Sequence, residues 1–224
     1  MKINQLMSEY SAFIFDFDGV IVDSLPIKTE AFGQLFEDLG SDVMAKVRAY
    51  HLDHGGVSRY EKFKYYYREF RGREISSDES RMLDEKFSAL VVEKVIKAEA
   101  IPGVMNVLQG IKAAGKFCCV VSATPQEEIR LIVNQRGMVN LFDEVVGSPR
   151  SKKDNVGLVL EKYHLVAQEA VYFGDARSDQ EAARFHGVSF IGVVPDKGGE
   201  LSSVAGIMRV RDFREILDKG ACHA

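Results

Sequence analysis

Four short apolar runs divide the sequence into segments of different pattern. They cover residues 12–17, 116–123, 170–175 and 189–194. Each run is rich in β-branched or aromatic residues and lacks the strict alternation of a strand with one wet face. Such runs are typical of strands that are buried on both faces of a parallel sheet. A shorter stretch, residues 143–147, is a candidate fifth strand.

Amphipathic segments lie before and after the second run. They predict helices over residues 104–115, 124–137 and 153–164. The second of these carries the signals of a helix start, with Thr124 as N-cap, Pro125 at the first helical position and Glu127 three residues after the cap. Strands that alternate with helices of this length predict an α/β fold with a doubly wound, Rossmann-like parallel sheet.

The segment between the first and second runs has a different character. It contains no convincing strand, and its helical stretches are rich in Lys, Arg, Glu and Tyr. Breaks fall at residues 39–42, 53–56 and 71–80. We therefore predict two domains: an α/β core of residues 1–23 and 100–224, and a helical domain of residues 24–99 inserted after the first strand.

Composition and charge narrow the function classes. The 224-residue chain has a net charge of −4, which gives it no basic footprint for nucleic acid. No stretch approaches the roughly 18 apolar residues of a membrane span, and the first ten residues lack the apolar core of a signal peptide. Cys118 and Cys119 are expected as reduced thiols in a buried strand, and Cys222 lies in a tail that is expected to fray. These features predict a cytoplasmic protein without nucleic-acid or membrane partners.

Polar side chains stand where three of the predicted strands end. Asp16, Ser122 and Asp175 each close an apolar run. Ligands of an open α/β sheet bind beyond the carboxyl ends of its strands, so these three side chains are expected to meet at one edge. Asp18 follows two residues after Asp16, and Gly19 then allows the backbone to turn tightly.

Paired carboxylates of this kind suit Mg²⁺ and phosphate chemistry. Mg²⁺ is usually held by one or two carboxylates, waters and phosphate oxygens, and a carboxylate can attack phosphorus to form an aspartyl-phosphate. The reaction also needs a second acid, a positive charge and donors for the phosphate oxygens. The chain supplies a candidate for each part, although the sequence does not choose between two neighbouring lysines. The candidates are Asp18, Ser122, either Lys152 or Lys153, Asp175 and Asp179.

Four motifs, in this order, resemble those of the haloacid dehalogenase-like hydrolase superfamily. They are DFDGV (16–20), VVSAT (120–124), GSPRSKKDN (147–155) and GDARSD (174–179). The helical insert after the first motif resembles the C1 cap of that superfamily, and the resemblance covers nearly the whole chain. It implies a capped phosphatase of the phosphoglycolate phosphatase or β-phosphoglucomutase-like branch.

The resemblance implies a role for each aspartate. Asp16 would be the nucleophile, and Asp18 the general acid and base. Mg²⁺ would be held by Asp16, by the backbone carbonyl of Asp18 and by Asp175. Asp179 would be either a further ligand or a supporting partner.

The resemblance also implies the substrate contacts. Ser122, Ala123 and Gly19 would lie against the phosphate. The GSPxSK pattern favours Lys152 over Lys153, and adjacent helical residues point about 100° apart, so only one of them is expected to face the site.

Two residues of the insert are candidates for choosing the substrate. The segment GGVSRYEKF (55–63) resembles a substrate-facing loop of the β-phosphoglucomutase-like branch. Arg59 is therefore a candidate ligand for a second anionic group on the substrate, with a solvated arginine as the alternative. Lys28, on the first helix of the insert, is a second candidate.

Two other segments of the insert are given structural interpretations. HLDHGG (51–56) could suggest a metal site, but we expect a solvated loop. KFKYYYREF (62–70) could suggest base stacking, but its helical spacing predicts packing within the insert.

The expected function is Mg²⁺-dependent hydrolysis of a small phosphorylated metabolite through an aspartyl-phosphate. Asp18 favours phosphoryl transfer, because dehalogenases resemble this fold but lack the second aspartate. A phosphosugar mutase is the alternative, although the mutase branch usually carries a histidine where this chain has Lys28. A non-catalytic protein that binds phosphate is the third possibility, and the oligomeric state is left open.

Overall fold

The computed structural model describes residues 2–195 and 198–217, so Cys222 lies outside the described residues. Within them the chain forms a six-stranded sheet in the order β3-β2-β1-β4-β5-β6, with every pair parallel. The strands are β1 (Ala12–Phe15), β2 (Phe117–Pro125), β3 (Glu144–Ser148), β4 (Ala170–Gly174), β5 (Ser189–Val193) and β6 (Met208–Val210). The predicted doubly wound parallel sheet is confirmed. Only β6 was not predicted, because two of its three residues are exposed and it leaves no apolar run in the sequence.

The described α-helices complete the α/β pattern. They are α1 (Ile3–Glu9), α2 (Leu25–Gln34), α3 (Ser41–Asp53), α4 (Arg59–Tyr66), α5 (Ser77–Lys97), α6 (Val104–Ala113), α7 (Gln126–Gln135), α8 (Lys152–Lys162) and α9 (Arg177–His186). Helices α2 to α5 all lie between β1 and β2, and we call residues 24–99 the helical insert. Among the described residues, no helix is long and apolar enough to cross a membrane.

The central strands are buried on both faces, which explains why their sequences do not alternate. Every residue of β1 is buried. Phe13 and Phe15 belong to one apolar cluster, and Ala12 and Ile14 belong to a second cluster. Because successive side chains of a strand point to opposite faces, these clusters lie on the two sides of the sheet.

The first of these clusters continues into the helical insert. It includes Phe32 of α2, Phe63 and Tyr66 of α4, and Phe87 of α5. The predicted packing of the aromatic segment 62–70 within the insert is thus confirmed. The apolar core therefore runs without interruption from the sheet into the insert.

The start of α7 differs from the prediction. β2 continues to Pro125, which pairs with Ser148 of β3, and α7 begins at Gln126. Thr124 is therefore not an N-cap, and its hydroxyl instead donates to Asp18. Pairing between two parallel strands outweighed a local helix-start signal that was present in the sequence.

The close contact between β3 and the end of β2 gives a test of this register. A Cβ on Gly147 would lie 2.4 Å from the carbonyl oxygen of Thr124 and 2.9 Å from the backbone nitrogen of Gln126. We expect Gly147→Ala to lower the free energy of unfolding by about 1–3 kcal/mol, measured by urea denaturation.

Gly110→Ala in α6 is the matched control. The nearest atom to its added Cβ is Met7 Cε at 3.8 Å. This variant should be neutral or more stable by about 0.5–1 kcal/mol, because alanine suits a helix better than glycine. Equal stabilities of the two variants would contradict the observed packing of β3 on β2.

Candidate active site

Asp16 lies directly after β1, at the carboxyl edge of the sheet. Its N–H donates to the carbonyl of Phe173 in β4 at 2.9 Å, which keeps the backbone in line with the strand. Its Oδ1 accepts the N–H of Phe17 at 2.6 Å, and its Oδ2 accepts the ammonium of Lys152 at 2.7 Å. The side chain is thus buried and oriented at a point where two neighbouring strands end.

Lys152, and not Lys153, reaches Asp16. Lys152 is the first residue of α8, whose start is capped by the side chain of Ser151. Its Nζ donates to Asp16 and to Asp179, each at 2.7 Å. Lys153 is exposed, and its ammonium lies over an aromatic ring of α9. Because adjacent side chains of a helix point about 100° apart, only one of the two lysines faces Asp16.

Asp179 holds Lys152 in place. It is fully buried in the first turn of α9. Besides Lys152, its Oδ1 accepts the hydroxyl of Tyr172 at 2.7 Å, and its Oδ2 accepts the N–H of Ala176 at 3.1 Å. Three donors therefore occupy most of the four lone-pair positions of this carboxylate.

Asp175 completes a cluster of carboxylates at the end of β4. Oxygens of Asp16, Asp175 and Asp179 lie within 4.8 Å of one another. Among the described residues, no side chain or N–H donates to the Asp175 carboxylate. Burial and the charges of Asp16 and Asp179 raise the pKa of Asp175 well above its usual value. This carboxylate has neighbours of its own sign and no counter-charge in contact.

Burial and the charges of this cluster also shift the pKa values of Asp16 and Lys152. Burial raises the pKa of Asp16 to about 7; the charge of Lys152 opposes this shift, and the charge of Asp179 adds to it. Burial disfavours the charged form of Lys152, yet Asp16 and Asp179 raise its pKa above the usual value. Three carboxylates thus face one ammonium. Oxygen ligands with excess negative charge are what a hard divalent cation requires, so the residues present fit such an ion.

Asp18 is separate from this cluster and is held by both parts of the chain. Its Oδ1 accepts the hydroxyl of Ser24 at 2.6 Å, and its Oδ2 accepts Lys28 Nζ at 2.5 Å and the hydroxyl of Thr124 at 2.9 Å. Burial alone would raise the pKa of Asp18, but the charge and hydrogen bond of Lys28, together with the hydrogen bonds of Ser24 and Thr124, outweigh it, and the pKa is lowered. Lys28, expected to contact the substrate, is thus bonded to Asp18.

The three residues expected to contact phosphate each have different surroundings. Ser122 is buried, and its hydroxyl oxygen accepts the N–H of Thr124 at 3.1 Å. Ala123 lines the cavity described below. Gly19 has a φ of +78°, and a Cβ at this position would lie 2.2 Å from a carboxylate oxygen of Asp175. Gly19 therefore serves both the turn and the close approach of Asp175.

Arg59 bridges the helical insert and α7. Its guanidinium donates to Asp84 at 3.0 Å and Ser88 at 2.8 Å, and it forms a two-pronged ion pair with Glu128 of α7. It also stacks over the ring of Phe87. The Arg59 side chain is 4 % exposed, so it is not the solvated arginine of the alternative interpretation. Two carboxylates balance its charge, and its contact with a substrate anion stays a prediction.

A narrow cavity joins these groups between the insert and the sheet edge. Asp16, Asp175 and Lys152 line it on the side of the sheet. His51 and Lys62 line it on the side of the insert. Its free volume of about 40 Å³ has room for a few water molecules.

Sequence reasoning missed His51 and Lys62 as cavity residues. The prediction of a solvated loop at His51 is wrong, because His51 lies in the last turn of α3 with 3 % of its surface exposed. Lys62 was treated as part of a packing segment, and it is 1 % exposed. A usable signal existed in α4: Arg59, Lys62, Phe63 and Tyr66 follow the helical spacing of one buried face.

Comparisons with known proteins agree with this geometry. The family model described as haloacid dehalogenase-like hydrolase matches residues 13–193. A phosphorylated carbohydrates phosphatase of Thermotoga maritima is 28 % identical over 92 % of this chain and 96 % of its own length. A phosphoglycolate phosphatase of Pseudomonas putida is 23 % identical over 91 % of this chain and 77 % of its own. The crystal structure of a β-phosphoglucomutase from Clostridium difficile superimposes with a TM-score of 0.75, at 20 % identity, over 92 % of this chain and 93 % of that chain.

Removing the charge of Asp175 tests the carboxylate cluster. We expect Asp175→Asn to raise the thermal unfolding midpoint in the absence of divalent cations, because its repulsion with Asp16 and Asp179 disappears. Adding MgCl₂ should raise the midpoint of the unaltered protein; a hundredfold excess over Kd gives about 2.7 kcal/mol, and each kcal/mol corresponds to about 2–4 °C in a chain of this size.

This rise should be largely absent from Asp175→Asn. Asp78→Asn, at an aspartate that is 85 % exposed in the first turn of α5, is the control and should keep the full rise. If Asp175→Asn gained as much stability from the salt as the control, the cluster would not be a cation site.

Proposed function

The chain belongs to the haloacid dehalogenase-like hydrolase family and is a phosphatase of that family, and we propose that it hydrolyses small phosphate monoesters with Mg²⁺ through an aspartyl-phosphate on Asp16. The surroundings of Asp16 carry the proposal. Its carboxylate is buried at the carboxyl edge of the sheet, in contact with Lys152 and beside a carboxylate cluster that fits a divalent cation. Such a site brings a nucleophile and two sources of positive charge to one phosphate.

The reaction proceeds in two balanced steps. In the first step an oxygen of Asp16 attacks phosphorus, the bond from phosphorus to the leaving oxygen breaks, and Asp18 gives that oxygen a proton. In the second step water attacks the phosphorus of the aspartyl-phosphate while Asp18 takes a proton from the water; the bond from phosphorus to Asp16 breaks, which releases inorganic phosphate, frees the Asp16 carboxylate and leaves Asp18 protonated again.

The chain's charged residues prepare Asp16 for this attack. Lys152 keeps Asp16 oriented and offsets part of the negative charge of an approaching phosphate. Asp16 and Asp175 are the residues that would hold Mg²⁺, with Asp179 as a support behind Lys152. When bound, Mg²⁺ supplies further positive charge against the phosphate oxygens.

The hydrogen bond from Lys28 makes the pKa of Asp18 depend on the position of the insert. The ionised form that Lys28 stabilises suits removal of a proton from water. Protonation of the leaving oxygen requires Asp18 to carry a proton, which is easier when Lys28 moves away. Because Lys28 belongs to the insert, movement of the insert would change the proton affinity of Asp18.

We further propose that residues 24–99 act as a cap over a core of residues 1–23 and 100–224. The position of the cavity supports this proposal, since residues of the insert and of the sheet edge line it together. Opening would separate Arg59 from Glu128 and Lys28 from Asp18. Closure would exclude bulk water during phosphoryl transfer.

The relatives support a small phosphorylated metabolite as the substrate. Two of them are named for phosphorylated carbohydrates and for phosphoglycolate. The cytoplasmic location stays a prediction from the sequence.

Substitution of the nucleophile tests the proposal. With Mg²⁺ present, the protein should release phosphate from simple phosphate monoesters, measured colorimetrically. Asp16→Asn should lower kcat by at least about a thousandfold, because the amide is a poor nucleophile. Lys152→Met should lower it by at least about a hundredfold through loss of charge next to the phosphate.

Lys153→Met, one residue further along α8, is the control and should keep nearly full activity. Circular dichroism and thermal unfolding would show that each variant is folded. Turnover by Asp16→Asn at the rate of the unaltered protein would show that another residue attacks phosphorus.

The similarity to a β-phosphoglucomutase makes a phosphosugar mutase the second candidate. A coupled assay of glucose 1-phosphate isomerisation with a bisphosphate primer separates the two activities. We expect phosphate release to exceed isomerisation. The reverse result would assign the chain to the mutases, and no activity in either assay would favour a non-catalytic phosphate-binding protein.

A further inference from the structure

The helical insert contributes four cationic or potentially cationic side chains to the cavity. They are Lys28, His51, Arg59 and Lys62. Each is less than 9 % exposed, so each has lost nearly all of its contact with water. Buried positive charge is costly without a partner, which makes the partner of each side chain informative.

Most of the lysines and arginines around the cavity have a carboxylate in contact. Lys28 is paired with Asp18, and Arg59 with Asp84 and Glu128. On the side of the sheet, Lys152 is paired in the same way. Each of these charges is therefore neutralised by the protein itself.

Lys62 is different. Among the described residues, no carboxylate lies within 4 Å of its ammonium. Its contacts are His51 Nδ1 at 2.7 Å, the carbonyl of Gly55 at 3.4 Å and the ring of Phe32 at 5.1 Å from the ring centroid. Burial and the nearby charge of Lys28 lower the pKa of Lys62 to about 7, against the opposing effect of the more distant charge of Glu200.

His51, the neighbour of Lys62, has a ring N–H donor without a partner among the described residues. Burial, with the charges of Lys62 and Lys28, lowers the pKa of His51 well below its usual value, so the ring is neutral. When Lys62 is charged, it donates to Nδ1, and the single ring proton must then lie on Nε2. Nε2 is buried and has no hydrogen-bond partner among the described residues. An unpaired buried donor costs about 1–3 kcal/mol.

We propose that Lys62 and His51 bind an anionic group at the end of the substrate remote from the transferred phosphate. The group is a carboxylate or a second phosphate, since either supplies the negative charge in contact that Lys62 lacks and the acceptor oxygen that His51 Nε2 lacks. The inference rests on the proposed function, in which the transferred phosphate lies against Asp16 on the opposite wall. It gives Lys62 the role that the sequence analysis gave to Arg59, whose charge is already balanced.

Matched pairs of esters test the proposal on the unaltered protein. One pair is phosphoglycolate and 2-hydroxyethyl phosphate, and a second is 3-phosphoglycerate and glycerol 3-phosphate. We expect kcat/KM to favour the anionic member by at least about tenfold. Fructose 1,6-bisphosphate against fructose 6-phosphate then distinguishes a second phosphate from a carboxylate. Equal kcat/KM within every pair would overturn the proposal.

Substitutions identify the residues responsible. Lys62→Met should lower the ratio of anionic to neutral kcat/KM by at least about tenfold, mainly through KM for the anionic ester. His51→Phe, which keeps an aromatic ring, should lower the same ratio. Lys64→Met is the control, because Lys64 lies on the same helix, is about half exposed and pairs with Glu61. Its ratio should be unchanged.

Stability separates binding from a structural role. Lys62→Met replaces a buried cation without a carboxylate partner, so its thermal midpoint should be equal to or above that of the unaltered protein. A lower midpoint together with equal losses on both esters would make Lys62 a structural residue and overturn the proposal.

A binding measurement decides the matter without turnover. Isothermal titration of Asp16→Asn with phosphoglycolate and with 2-hydroxyethyl phosphate, in MgCl₂, should give at least about tenfold tighter binding of the former. Equal affinities would overturn the inference even if both esters are hydrolysed. If neither ester is hydrolysed by the unaltered protein but the difference in affinity is present, the proposed function fails and the anion site stands.

Discussion

The ion pairs of Lys152 with Asp16 and Asp179 are the interaction on which the rest of the site depends. One buried ammonium joins the end of β1, the start of α8 and the first turn of α9. Loss of either partner would leave a charge in a medium where it is poorly solvated. Because Asp175 adds a third carboxylate, the pairing remains incomplete and the site keeps an excess of negative charge. Carboxylate oxygens with such an excess of negative charge fit a divalent cation.

The helical insert contributes positively charged side chains to the same cavity. Lys28 contacts Asp18 directly and Arg59 contacts Glu128 of α7, whereas Lys62 contacts His51 and has no carboxylate in contact within the part of the chain that the structure describes. The carboxylates of the sheet edge need a cation before a phosphate can approach them, whereas Lys62 on the side of the insert has no carboxylate in contact among the described residues and suits a second negative group of a substrate. Contacts of the insert with Asp18 and with α7 also mean that its position and the chemistry of the sheet edge depend on each other.

Agreement between sequence and structure is closest where local pattern and tertiary packing favour the same conformation. The parallel strands, the convergence of Asp16 and Asp175, and the helical character of the insert all follow from apolar runs and strand ends. Disagreement appears where a long-range contact competes with a local signal. Thr124 has the sequence of an N-cap, yet strand pairing at Pro125 and a hydrogen bond to Asp18 keep it extended.

The sequence by itself indicated the parallel sheet, the helical segment after the first strand and the carboxylates at the strand ends, because periodicity and the succession of strands and helices along the chain are local properties. Only the tertiary structure decided which charges meet. Arg59 and Lys62 lie on the same buried face of α4. Arg59 forms an ion pair with Glu128 of α7, whereas Lys62 forms a hydrogen bond with a neutral His51. The sequence alone cannot distinguish these two outcomes, since the partner of each cation comes from a distant segment and Coulomb energy depends on distance and burial.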